Sequence, residues 1–145
     1  MYKHSILIFF ILIFLSCKES EDCCFPLEEQ VDIIGEWQIY EEGYSPGFEY
    51  IVEDVPAFPP QLLNFKSDNV FWSNVEGLDE FSYYKVFEDP FSDGKIVALF
   101  DENPIDVDVT HLKYSYNLEQ YLNGYIKLSF RFCFEGCHIG LRQVD

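Results

Sequence analysis

Ile126-Lys127-Leu128-Ser129-Phe130-Arg131-Phe132-Cys133-Phe134 alternates apolar with polar or small side chains without a break. A period of two over nine residues marks a β-strand with one face in a core and the other in water. Leu112, Tyr114 and Tyr116 alternate with Lys113 and Ser115 in the same way. Comparable runs recur from Ile33 onward, over roughly 34–42, 47–52, 61–66, 69–74, 80–87, 94–100, 111–117, 125–133 and 138–144. Turn formers separate them: Gly43 with Pro46-Gly47, Pro59-Pro60, Ser67-Asp68-Asn69, Gly77, Asp93-Gly94, Asn103-Pro104 and Asn123-Gly124. No run shows a helical period. One-sided strands in sequential order predict an all-β fold: a single small antiparallel up-and-down β-barrel of eight or nine strands.

Composition agrees with that reading. The chain holds 15 Phe and 10 Tyr but a single Met, and aromatic residues favour strands. The formal net charge is −17. Such a balance argues against nucleic acid, whose phosphates require Lys and Arg. It also disfavours electrostatic docking on anionic lipid headgroups. The acids read as a solvated surface that keeps the protein soluble.

The amino terminus sets the expected location. A short basic start, Met1-Tyr2-Lys3-His4, precedes an apolar run from Ser5 to Ser16. That run is too short to span a bilayer, which takes roughly 20 residues, and it reads as a secretory signal. Leu15-Ser16-Cys17 resembles the end of a bacterial lipobox, with Phe14 where that family prefers Leu. The resemblance implies cleavage before Cys17 and lipid attachment to it. Two or more acyl chains hold a protein stably on a membrane, where one does not. The expected organisation is a signal peptide over 1–16, a lipidated acidic tether over 17–32 and a barrel domain over 33–145. The acidic residues soon after Cys17 resemble the export signal of surface lipoproteins in the Bacteroidota, which implies an outer-membrane lipoprotein exposed at the cell surface.

Gly35-Glu36-Trp37 opens the first strand, where lipocalins carry a Gly-x-Trp signature. This tripeptide, the lipobox, the Cys23-Cys24 tether, the meander and the ending Cys133-Phe-Glu-Gly-Cys137-His-Ile-Gly-Leu-Arg142 together resemble the small lipocalin-like lipoproteins of the Bacteroidota. The resemblance implies a barrel and a cell-envelope location, and no reaction. It also implies that a basic side chain of the last strand packs across the signature Trp, which nominates Arg142 against Trp37 at the barrel closure. Arg suits that role because its planar guanidinium stacks on aromatic faces.

Four cysteines follow Cys17, and an even count in an exported protein suggests disulfides. Cys133 and Cys137 flank Phe134-Glu135-Gly136, a hairpin loop across which they could bond to each other. The alternative joins Cys23 and Cys24 of the tether to that hairpin pair. The tether-to-hairpin linkage is the favoured expectation, because neighbouring cysteines bridge each other only with strain.

Catalytic signatures are missing. There is no Gly-x-Ser-x-Gly, and only His111 and His138 lie beyond the signal. Cys133-x-x-x-Cys137-His138 has three residues where haem attachment has two. Asp101-Glu102 and Asp106-x-Asp108 offer oxygen ligands for calcium, but a solvated acidic loop is the simpler reading. We therefore expect no cofactor, no metal site and no enzyme. The stretch 43–60, rich in Pro, Gly and aromatics, reads as a lid or a stiffened cover. The expected function is binding of a small apolar ligand inside the barrel, lined by Trp37, Ile39, Tyr114, Tyr116, Phe130 and Phe132. The alternative is a non-catalytic protein-interaction or structural module with a filled core.

Overall fold

The computed structural model describes residues 32–47, 49–133 and 136–144. Among them run nine strands: β1 (Gly35–Tyr44), β2 (Ile51–Asp54), β3 (Leu62–Phe65), β4 (Phe71–Ser73), β5 (Tyr83–Glu88), β6 (Lys95–Phe100), β7 (Ser115–Gln120), β8 (Tyr125–Phe130) and β9 (His138–Gln143). They form one antiparallel sheet in the order β4-β3-β1-β9-β8-β7-β6-β5, with β2 also on β1. The predicted all-β meander is what the chain adopts.

The sheet curls into a nearly closed barrel. First and last strands are neighbours, from Trp37↔Gln143 to Gly43↔His138. On the other edge of β1, residues 41–44 pair with β2 and residues 35–38 pair with β3. β2 and β3 are therefore two halves of one stave. The excursion between them is pinched at its base, where the Val55 amide donates to the Tyr40 carbonyl (2.8 Å) and the Ile39 amide to that of Gln61 (2.9 Å). Nine strands thus make eight staves. The remaining seam joins β4 to β5 through a single bridge, Val70↔Tyr83. Short reversals at 66–70, 89–94 and 121–124 lie at one end of the barrel. The longer connections, 45–50, 74–82, 101–114 and 131–137, lie at the other.

The alternation read from the sequence sorts side chains between faces. Ile126 and Leu128 point inward with Leu118, Leu141, Ile39 and Trp37. Aromatic rings fill the interior beside them: Phe65 lies 5.0 Å from both Phe71 and Tyr84. The Trp37 indole N–H donates to the Ile33 carbonyl at 2.7 Å, so the residue entering β1 plugs the short-turn end. A fully buried Leu, Ile or Phe contributes about 1.5–3 kcal/mol.

Three expectations need correction. β8 stops at Phe130 instead of running to 133, because pairing gives way to a turn: the Cys133 amide bonds to the Phe130 carbonyl and the Gly136 amide to that of Cys133. The 111–117 strand begins only at Ser115. Val109–His111 forms a 3-10 turn whose N-cap, Asp108, accepts from the Thr110 amide. Leu112 accordingly leaves the barrel face and joins Val107, Val109, Phe87 and Phe100 over Ile96 and Ala98. β6 is thus buried on both sides, and the 101–112 connection is an apolar-backed cover rather than a simple solvated acidic loop. Asp108 sits well below the usual carboxylate range, at about 2, chiefly because the Thr110 hydroxyl and amide donate to it and His111 adds a third bond. Lastly, the strand expected over 47–52 lies later, at Ile51–Asp54, where it belongs to the barrel wall.

Candidate functional site

A pocket of about 300 Å³ opens at the long-loop end of the barrel. Its walls are inward side chains of β7, β8 and β9: Tyr116, Leu128, Phe130 and Ile139. Gly77, Leu78 and Phe81 of the β4–β5 connection, Tyr114 just before β7, and Cys137 and His138 at the start of β9 complete the rim. Ring contacts fix these walls, with Tyr116 against Phe130 at 5.4 Å and Phe81 against Tyr114 at 4.8 Å. Burial holds the Tyr116 phenol above its ordinary pKa, so it stays a neutral, mainly apolar wall. Below Leu128 the interior is closed by side chains, which makes the pocket a shallow cup. Its volume is at the lower end of the range for ligand sites. A larger cleft of about 530 Å³ lies under the 101–112 connection, but Glu80, Asp101, Asp106 and Asp108 all line it. Apolar ligands are not held by four carboxylates, whose desolvation is costly.

The expected ligand-binding residues divide into three groups. Tyr114, Tyr116 and Phe130 do line the cup. Trp37 and Ile39 are 2% and 1% exposed and belong to the packed floor. Phe132 falls beyond the end of β8, is 55% exposed and is not among the residues that line the cup. Leu78, Phe81, Leu128 and Ile139 were not among the expected ligand-binding residues, Leu128 having been read only as core-facing. Leu78 and Phe81 belong to a connection without periodicity. Ile139 is in phase with Leu141, so its inward aim was legible.

The closure pair also differs from expectation. Strands β1 and β9 do meet, but Arg142 stands opposite Gln38 on the outer face, with its guanidinium 4.2 Å from the Tyr40 ring. Trp37 faces inward, and alternation along β9 sends Leu141 in and Arg142 out. The cation–aromatic stacking exists, on a different ring. Arg131 instead lies 3.5 Å from Asp89.

Cys133 and Cys137 are bonded to each other, with Cα atoms 5.6 Å apart. This replaces the favoured tether-to-hairpin linkage: the turn that ends β8 already brings the two within bonding reach. Cys17, Cys23 and Cys24 lie outside the described residues.

A chain of polar groups, unforeseen in the sequence, crosses the outer face beside the cup. His138, at the start of β9, is only 6% exposed. Its Nε2 lies 2.8 Å from Glu41 Oε1, its Nδ1 meets the Tyr50 hydroxyl, and the Tyr125 hydroxyl donates to the same Glu41 oxygen at 3.0 Å. An ionised Glu41 assigns the ring proton to Nε2, so that Nδ1 accepts from Tyr50. The bulge between Ile39 and Glu41 creates this arrangement: the extra residue lets Tyr40 and Glu41 share the outer face. Gly43 and Gly140 supply the room. A Cβ on Gly43 would strike the His138 ring and the Tyr50 hydroxyl, and one on Gly140 would come within 2.8 Å of the Tyr125 ring.

Hydroxyl, imidazole and carboxylate stand in a row here, from Tyr50 through His138 to Glu41. Burial, then Glu41, raise the Tyr50 pKa, and burial, then Tyr40 and Glu41, raise that of Tyr125. Both phenols are held as protonated donors, and the chain clamps the 45–50 connection, β9, β1 and β8 together. No group of three or more potential metal-ligating side chains is found among the described residues. Compared with known proteins, the chain matches no family model, no curated protein and no solved structure.

Proposed function

We propose that this chain is a lipid-anchored, lipocalin-like cell-envelope lipoprotein that holds the end of a small apolar ligand in the mouth of its barrel, without catalysis. The observation that carries the reading is the cup of about 300 Å³ walled by Tyr116, Leu128, Phe130 and Ile139, open to solvent above a filled floor. A lining so poor in charge favours apolar matter. Its shallowness favours partial insertion, such as one end of an acyl chain or a flat ring, over engulfment. The second reading, a protein-interaction module, draws on the filled lower half of the barrel and on exposed Phe132 at the rim.

Two measurements test the two halves. The neutral dye N-phenyl-1-naphthylamine should bind at a single saturable site with enhanced, blue-shifted emission. Ile139→Trp, which fills the cup, should weaken that binding about tenfold, or about 1.4 kcal/mol, with near-UV circular dichroism verifying the fold. Unchanged dye affinity in a folded Ile139→Trp protein would refute the cup as the ligand site. For the anchor, Cys17→Ala should abolish metabolic labelling by an alkyne fatty acid and release the protein from membranes. A Cys17→Ala protein that still sediments with membranes would rule the anchor out.

A further inference from the structure

We propose that the free edge of β2 takes up an extended, basic segment of a partner protein as an added strand. β2 has a sheet neighbour on one side only, β1. The Val55 amide donates to the Tyr40 carbonyl, and the register then turns the amides of Ile51 and Glu53 towards β1 as well. The amides and carbonyls of Val52 and Asp54 therefore point away from β1, and no described residue bonds to them. Both residues are exposed, Val52 at 51%.

Unpaired backbone groups along a strand are a template for another strand. This one is held ready. The Val55 bond, at 2.8 Å, fixes one end of β2, and the contact of the Tyr50 hydroxyl with His138 fixes the approach to the other. An edge already in strand geometry loses little freedom on pairing.

Charge selects the strand. Two pairs of acids face each other across β1 and β2, Glu41 with Asp54 and Glu42 with Glu53. Like charges directly opposite destabilise a sheet. Tyr125 and His138 bond to Glu41, and Tyr44 to Glu53, but these neutral groups leave the charge in place. The sequence holds no Lys or Arg between Lys18 and Lys66. Lysines of an added strand would supply what β1 and β2 lack. A second copy of this chain would instead bring more carboxylates to the edge, under a net charge of −17 on each. The edge of β5 beyond Tyr84 is also open, but that strand carries Lys85 and pairs Glu88 with Lys95, so a basic strand finds less attraction there.

The fluorescein-labelled peptide Lys-Val-Lys-Val-Lys-Val-Lys tests this on the detergent-solubilised full chain. It should bind saturably, and more weakly as salt rises, whereas the same peptide with Glu for Lys should not bind. On binding, amide exchange followed by NMR should slow about tenfold or more at Val52 and Asp54, with little change at Ile51 and Glu53, which β1 already holds. Val52→Pro removes the outward N–H without touching a bond to β1. It should weaken the peptide about tenfold, while Val52→Thr, which keeps the N–H, should not. Unchanged affinity in a folded Val52→Pro protein overturns the proposal. So does absence of binding, or binding that leaves exchange at Val52 and Asp54 unchanged or slows Val86 and Glu88 of β5 instead. Sedimentation as a dimer with Val52 and Asp54 already protected overturns it in favour of a second copy of this chain. The exchange measurement uses the unsubstituted protein, so it decides even where Val52→Pro does not fold.

Discussion

Trp37→Ala is expected to lower the thermal midpoint by about 10–25 °C. Trp37 is 2% exposed and plugs the barrel end opposite the cup, among the buried residues that include Ile33, Leu63 and Leu141. Truncating a buried Trp costs about 3–5 kcal/mol, from lost transfer energy and from the cavity left behind. In a domain of about a hundred residues each kcal/mol moves the midpoint by roughly 4–8 °C, and somewhat less in larger ones. The Ile33 carbonyl also loses the indole donor at 2.7 Å. Trp37→Phe keeps most of the ring but not the donor, so it should fall between wild type and Ala. The cup lies at the other end, so dye affinity of the folded fraction should be preserved. A drop of less than about 5 °C would show that the floor repacks freely, contrary to a close-packed interior.

Glu41→Ala should destabilise by about 2–4 kcal/mol, an unusual cost for a carboxylate on the outside of a barrel. Its side chain is 24% exposed, yet one oxygen serves both the Tyr125 hydroxyl and His138 Nε2. Removing it leaves two donors poorly hydrated, each costing about 1–3 kcal/mol when left unpaired. Glu41→Gln should recover about half of the loss. Its carbonyl oxygen accepts from Tyr125, while its amide donates to Nε2 once the ring proton moves to Nδ1. Tyr50 then receives a hydrogen bond instead of donating one. Because the imidazole links both ends, Glu41→Ala and Tyr50→Phe should be non-additive in chemical denaturation, with a coupling of about 0.5 kcal/mol or more. Strict additivity, or a Glu41→Ala cost below about 0.5 kcal/mol, would dismiss the clamp.

The corrections share a physical origin in the phase of alternation. Period two along β8 and β9 told which residues face the core, and it already placed Arg142 out of phase with Leu141. The mistaken Trp37–Arg142 pairing followed family likeness over that phase. Phe132 was in phase but beyond the strand, because the turn closed by Cys133 and Cys137 ends the pairing at Phe130. A period tells how side chains alternate while a strand lasts, and not where it stops.

The sequence by itself determined the strands, their order, the single barrel and the inward aim of Tyr116, Leu128 and Phe130, since these follow from local alternation and turn chemistry. Only the tertiary structure decided that β2 and β3 share one stave, that a bulge puts Tyr40 and Glu41 side by side, and that Tyr50, His138 and Tyr125 converge on one carboxylate. These are contacts between residues 84 to 97 positions apart, from Glu41 to Tyr125 and His138. They depend on register and on the room left by Gly43 and Gly140, neither of which has a local signature.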